Sequence, residues 1–132
     1  MPILKSYKKL ERIALTEFPD IVVTTKIHIL SSGDPQKLRL EIVDNSLIDI
    51  FLSEYGRYSY HWERRLTEVG GVYRHDNAPH ARWEHLATYP KHFHDGSERN
   101  VVSSYLHDHP EKAIREFLIF VRLKLLGETP TS

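Results

Sequence analysis

The chain has 132 residues, with 18 Lys+Arg balanced by 18 Asp+Glu, so its formal net charge is zero before its nine histidines are considered. A 40% hydrophobic and 27% charged composition is that of one ordinary globular domain, large enough to bury a core and fold unaided. The neutral balance argues against a dedicated polyanion binder, so affinity for nucleic acid has to come from a local patch; the absence of cysteine excludes disulfides and thiolate metal sites and fits a reducing cytoplasm.

Residues 1–18 read as a helix. Leu4, Tyr7, Leu10, Ala14 and Phe18 recur near helical spacing, Lys5, Lys8, Lys9 and Arg12 fill the rest of the wheel, and Pro19 stops it. Residues 21–77 read as an antiparallel meander with short turns. IVVTTKIHIL (21–30) is β-branched, and SSGDP turns the chain. QKLRLEIVD (36–44) puts Leu38, Leu40 and Ile42 on one face, and LIDIFLSEY (47–55) does the same with Ile48, Ile50 and Leu52. RYSYHWER (57–64) and GGVYRHDN (70–77) supply a fourth and a fifth strand.

Residues 78–99 hold turn residues without a sustained period and are expected to form an irregular arm. NVVSSYL (100–106) offers a short sixth strand. Residues 109–126 form the last helix, with Pro110 at its first position and Gly127 at its end. Its stripe of Ile114, Phe117, Leu118, Val121 and Leu125 is widened by Phe120 and Leu123. That helix is expected to pack on the sheet and keep a flank for a partner, a homodimer mate included. The fold class is therefore α+β over one domain, 1–132: an N-terminal helix, a meander of five to six strands, a histidine-rich arm and a C-terminal helix. No apolar run approaches the roughly 18–20 residues of a membrane span, and the N-terminus lacks a signal-peptide pattern, so a cytoplasmic protein is expected.

Strand four sorts its residues by face: Tyr58, Tyr60 and Trp62 point one way, Arg57, Ser59, His61 and Glu63 the other. If the aromatic side meets the helices, the other side shows Arg57 and His61 beside Arg39, Glu41 and Asp49. On strand five Arg74 and Asp76 share a face.

The stretch 74–96 concentrates His75, His80, His85, His92 and His94. In extended backbone His92 and His94 project to the same side, a spacing suited to two metal ligands or to two imidazoles facing one substrate. RNA cleavage through its own 2′-hydroxyl needs a base, an acid and a fixed cation, which two histidines and an arginine supply without metal. Aromatic rings stack the bases of single-stranded RNA. Bland readings compete throughout. DNAP (76–79) is a turn in its own right, so Asp76 has a backbone role open to it. His85 reads as surface, His28 as structural, His107 and His109 as the start of the last helix, and the aromatic side of strand four as core.

The ordered blocks RYSYHW, YRHDNAPH and TYPKHFHDG resemble the TumE family of small proteins, toxin partners in type II toxin–antitoxin pairs, over roughly residues 36–96. Matching positions are Tyr58, Tyr60, His61, Trp62, Arg74, Asp76, Asn77, Pro79, His80, Pro90, His92 and His94. His75 stands where the family has tyrosine, Ala81 and Lys91 replace the second histidine of each pair, and Phe93 replaces lysine. The resemblance implies a toxin with a cognate antitoxin.

The expected function is a toxin acting as a metal-independent ribonuclease on single-stranded RNA. Arg57 and Arg74 would hold the phosphate, His61 or His80 act as base and His92 or His94 as acid. Tyr60 would donate a hydrogen bond and Asp76 orient an imidazole, while Tyr58, Arg82 and Trp83 contact substrate. The antitoxin would cover the polar sheet face or dock on the last helix. Two alternatives remain: a hydrolase using a divalent metal such as zinc on His80, His92, His94 and Asp76, and a non-catalytic module whose imidazoles order the arm and respond to pH.

Overall fold

The computed structural model describes residues 2–128. Helix α1 (Ile3–Glu17) leads into strands β1 (Val22–Ile29), β2 (Pro35–Ile42), β3 (Leu47–Leu52), β4 (Tyr58–Glu63), β5 (Val72–Asp76), β6 (His92–Asp95) and β7 (Val101–Ser103), and helix α2 (Pro110–Gly127) closes the chain. The strands form one antiparallel sheet in sequence order. The class is α+β as expected, with seven strands rather than five to six. The additional strand comes from the expected arm, whose last residues pair with β5 and β7 instead of staying irregular.

Both helices cover one face. Leu38, Leu40, Ile48, Ile50, Tyr60 and Trp62 from the sheet are buried against Tyr7, Leu10 and Ala14 of α1 and Ile114, Phe117 and Leu118 of α2. Alternation in the strands and helical spacing in α1 and α2 thus meet in one core. The contacts of Tyr60 with Phe117 (6.1 Å) and Trp62 with Phe120 (6.3 Å) each add about 0.5–1.5 kcal/mol to area burial. Helix α2 starts as its sequence suggests. His109 caps it by accepting from the Glu111 amide at 3.3 Å, and His107 accepts from the His109 amide at 2.9 Å.

Two features carry the chain from β5 to β6. Asn77 accepts from the Tyr58 amide (2.9 Å) and donates to the Gly56 carbonyl (2.8 Å), pinning the start of the connector to the β3–β4 turn. Thr88 donates to the Lys91 carbonyl (2.7 Å) and accepts from the Ser104 amide (2.9 Å), fixing its end. Between them a short 3-10 turn at Ala81–Trp83 turns back over the sheet, and Tyr89–Pro90 is cis. The β6–β7 turn is held just as closely. Gly70, at φ +82°, approaches it so nearly that a Cβ there would lie 2.6 Å from the Gly96 carbonyl oxygen, which confines the position to glycine.

His75 belongs to the helix face. It stacks on Phe93 at 4.0 Å and shares a hydrogen bond with the Ser104 hydroxyl at 2.7 Å. Burial, followed by the charges of Lys91 and His92, holds its pKa down at about 4. The unfolded chain protonates this ring below about 6.5. Between that value and about 4 the unfolded state takes up more protons, so acid favours unfolding there. The contribution, at most about 3 kcal/mol, is complete above the unfolded value and is lost as pH falls to the folded one. In urea titrations across that range, His75→Phe is expected to lose less stability on acidification than the wild type; parallel pH profiles would contradict the assignment.

Candidate active site on the open face of the sheet

The face away from the helices gains its chemistry from register. Asp49, His61, Arg74 and His94 lie opposite one another across β3 to β6, and Ser59, Asp76, His92 and Ser103 form the next row across β4 to β7. Paired residues in antiparallel strands share a face, so Arg74, Asp76, His92 and His94 converge. The connector brings Trp83 over them, its ring 5.6 Å from that of His92 and 6.1 Å from that of His94. The result is a cleft of about 560 Å³ lined by Arg74, Asp76, His80, Arg82, Trp83, His92, His94, Glu98 and Arg99.

Asp76 is the hub. One oxygen accepts from the Arg74 Nε at 3.2 Å; the other accepts from the Ala78 amide at 2.9 Å and lies 3.2 Å from His92 Nε2. The turn expected of DNAP therefore exists and leaves the carboxylate free for a second task. Glu98 holds the same guanidinium from the far side, at 2.7 Å from Nη1.

Hydrogen bonds place a proton on Nδ1 of both buried imidazoles. His94 Nδ1 faces the Glu98 carbonyl at 2.9 Å and must donate to it. Its Nε2 faces Arg74 Nη2 at 3.0 Å, and a guanidinium has no acceptor, so that nitrogen keeps its lone pair. His94 is neutral. Burial first, and then the Arg74 charge, lowers its pKa in keeping with that geometry, against the opposing Glu98 carbonyl bond. His92 differs. Its Nδ1 faces the Pro90 carbonyl at 3.0 Å and its Nε2 faces a carboxylate oxygen, so both partners are acceptors. Nδ1 donates to the Pro90 carbonyl, while Nε2 stands at ion-pair distance from the Asp76 carboxylate without the alignment of a hydrogen bond.

Seven of the residues expected from sequence line this cleft: Arg74, Asp76, His80, Arg82, Trp83, His92 and His94. The other four do not. Tyr60 is a core side chain at 1% exposure, against Phe117, and burial raises its pKa well above the ordinary phenol range. Tyr58 is buried on the same side and pushed up to about 12, again by burial. Both point away from the cleft because strand alternation sends them to the helices. Arg57 is exposed in a neighbouring groove with Phe51, Tyr55 and Tyr58, where only Asp76 is shared with the cleft. His61 lies beside Arg74 in the sheet but outside the cleft; its Nε2 is 3.3 Å from Glu63 without the alignment of a hydrogen bond. Burial, then Arg74, lowers its pKa.

Glu98 and Arg99 were missed. They lie in the β6–β7 turn, and their one signal was the charged run SERN immediately after HFHDG.

The site can bind an anion and move protons. Three guanidiniums outweigh the Asp76 and Glu98 carboxylates, and Arg82 lies over the Trp83 ring at 5.5 Å. Two imidazoles whose Nε2 atoms face a carboxylate and a guanidinium sit in opposed environments, the arrangement from which acid and base roles follow.

Among the described residues no helix is long and apolar enough to cross a membrane. No curated protein and no solved structure matches the chain. The family model described as Toxin TumE matches residues 10–125, from the middle of α1 through the whole sheet and cleft to the last turns of α2. This chain therefore belongs to the TumE toxin family.

Proposed function

We propose that this TumE-family toxin cleaves single-stranded RNA in the cytoplasm by metal-independent general acid–base catalysis in the cleft over β5 and β6. The observation that carries the reading is the pair His92 and His94, two residues apart on one strand, whose Nε2 atoms face unlike partners, the Asp76 carboxylate and the Arg74 guanidinium; in this reading His92, beside the carboxylate, carries a proton on Nε2 and His94 does not. An RNA phosphate entering the cleft competes with His94 for the Arg74 guanidinium. As Arg74 turns to the phosphate, the His94 Nε2 lone pair is released to take the 2′-hydroxyl proton. The 2′-oxygen then bonds to phosphorus, the bond to the 5′-oxygen breaks, and His92 Nε2–H protonates that leaving oxygen. The products are a 2′,3′-cyclic phosphate and a 5′-hydroxyl.

Asp76 holds the imidazolium in place until then. His92 is only 1% exposed, so Trp83 has to swing outward for the leaving oxygen to reach it. The backbone hydrogen bonds from Ala78 to Trp83 and on to Lys91 are local turns rather than ladder pairs, which permits such opening. His80, exposed at the rim, together with Arg82 and Arg99, steers the strand in, and a base stacks on Trp83.

Membership of the family implies an antitoxin partner. The antitoxin is proposed to close the cleft or to dock on α2, where Ile119, Leu123 and Leu126 lie exposed at helical spacing; a homodimer would use the same row.

With a fluorophore-quenched single-stranded RNA, His92→Gln and His94→Gln are each expected to lower kcat by about 10²–10⁴-fold. Tyr60→Phe should leave it within a few-fold, and EDTA should have no effect. Loss of turnover in EDTA would favour the metal-dependent hydrolase. Full turnover in both histidine variants would remove the pair from the chemistry, and RNA binding without cleavage by the wild type would leave a module without catalysis. A second expectation concerns the rim. Arg82→Ala and Arg99→Ala should each weaken RNA binding and reduce the slope of log K against log salt by about 0.7, read by fluorescence anisotropy; an unchanged slope in both removes the rim from the interface.

A further inference from the structure

One ligand atom from each of Asp76, His92 and His94 lies within 4.8 Å of the others. We propose that these three side chains form a binding site for a borderline divalent cation of the zinc class, and that the cation displaces Arg74 and a proton to enter. Such binding would switch the cleft off. The binding claim stands on geometry alone; the inhibitory consequence rests on the ribonuclease reading.

The donors suit that cation. Two imidazole nitrogens and a carboxylate oxygen are the set a zinc-class ion takes where thiolates are lacking. Both Nδ1 atoms donate to backbone carbonyls, of Pro90 at 3.0 Å and Glu98 at 2.9 Å. Those bonds fix the tautomer and aim both Nε2 atoms into the cleft, as partners behind metal-bound histidines do. The 3.2 Å between His92 Nε2 and Asp76 Oδ1 matches one edge of a tetrahedron with bonds of about 2.0–2.1 Å. A proton on His92 Nε2 would bridge that pair, and a metal ion would bridge it as well.

Arg74 occupies the remaining corner. Its guanidinium bridges the two arms of the site, with Nε on Asp76 at 3.2 Å and Nη2 on His94 Nε2 at 3.0 Å. It is a resident cation held by two of the three proposed ligands. It also has somewhere to go, because Glu98 already holds its Nη1 at 2.7 Å. With Arg74 swung onto Glu98, His94 Nε2 is free to close on the ion, and the cleft side leaves a fourth position for water. The ion would then hold the His94 lone pair needed as base and replace the His92 proton needed as acid. Magnesium, which prefers oxygen ligands and keeps its waters, should not compete.

The test is titration of the full chain with zinc chloride against a competing chromogenic chelator, alongside magnesium chloride, with histidine ring resonances followed by NMR. One equivalent of zinc is expected to bind, shifting the rings of His92 and His94. Asp76→Asn and His94→Gln should weaken it by at least about tenfold, the lower bound for losing even a supporting partner. Arg74→Met should tighten it by about tenfold, since a charge-assisted hydrogen bond no longer has to be broken. A merely structural Arg74 would not shift affinity in that direction. Zinc should inhibit RNA cleavage over the concentrations at which it binds. Affinity unchanged in Asp76→Asn and His94→Gln, or weakened in Arg74→Met, overturns the site. Zinc that binds as described but raises cleavage overturns the inhibitory role and the metal-free mechanism together. If no RNA cleavage is found at all, the ribonuclease reading falls, while the three affinities still decide the site.

Discussion

The pairing of Arg74 with His94 and of Asp76 with His92 across β5 and β6 is the constraint on which the chemistry of this molecule depends. Side chains alternate along a strand, so a slip of one residue would send both histidines into the aromatic core and raise Phe93 into the cleft. The opposite face resists that slip. Phe93 stacks on His75 at 4.0 Å and meets Phe120 edge-on at 5.7 Å, contacts that exist only in the observed register. Core and site hold one another in place.

Charge follows from the same arrangement. The chain is neutral overall, yet its cleft is cationic because the carboxylates are committed elsewhere. Asp49 pairs with Arg39 and Lys37, Glu63 with Arg65, and Asp44 with Arg64. Among the described residues no carboxylate pairs with Arg82 or Arg99. An anion-binding patch therefore arises without a basic composition, through the placement of acids rather than their number.

The legible parts of the molecule are those governed by local periodicity. Alternation in QKLRLEI, LIDIFL and YSYHWE identified both faces of the central strands, and the helical spacing of Tyr7, Leu10, Ile114 and Phe117 found the faces that cover them. The spacing of His92 and His94 announced that they share a side. Strand β6 escaped because it has four residues at the end of a long connector, where HFHD reads as polar loop. Arg57 and His61 were placed on the right face and yet lie outside the cleft, which sits over β5 and β6 alone. Tyr58 and Tyr60 lay on the face already read as core, and a buried phenol has no access to substrate.

The sequence by itself determined the composition of each face, the helix boundaries to within a residue or two and the identity of most cleft side chains. Those properties depend on neighbours three or four positions away. Only the tertiary structure decided that the β5–β6 end of both polar rows became the site, how Trp83 roofs it, that Glu98 holds Arg74 there, and that the carbonyls of Pro90 and Glu98 fix the Nδ1 protons of His92 and His94. Those are contacts between segments brought together by a long connection, and protonation states belong to the partners a ring meets in space rather than to its position along the chain.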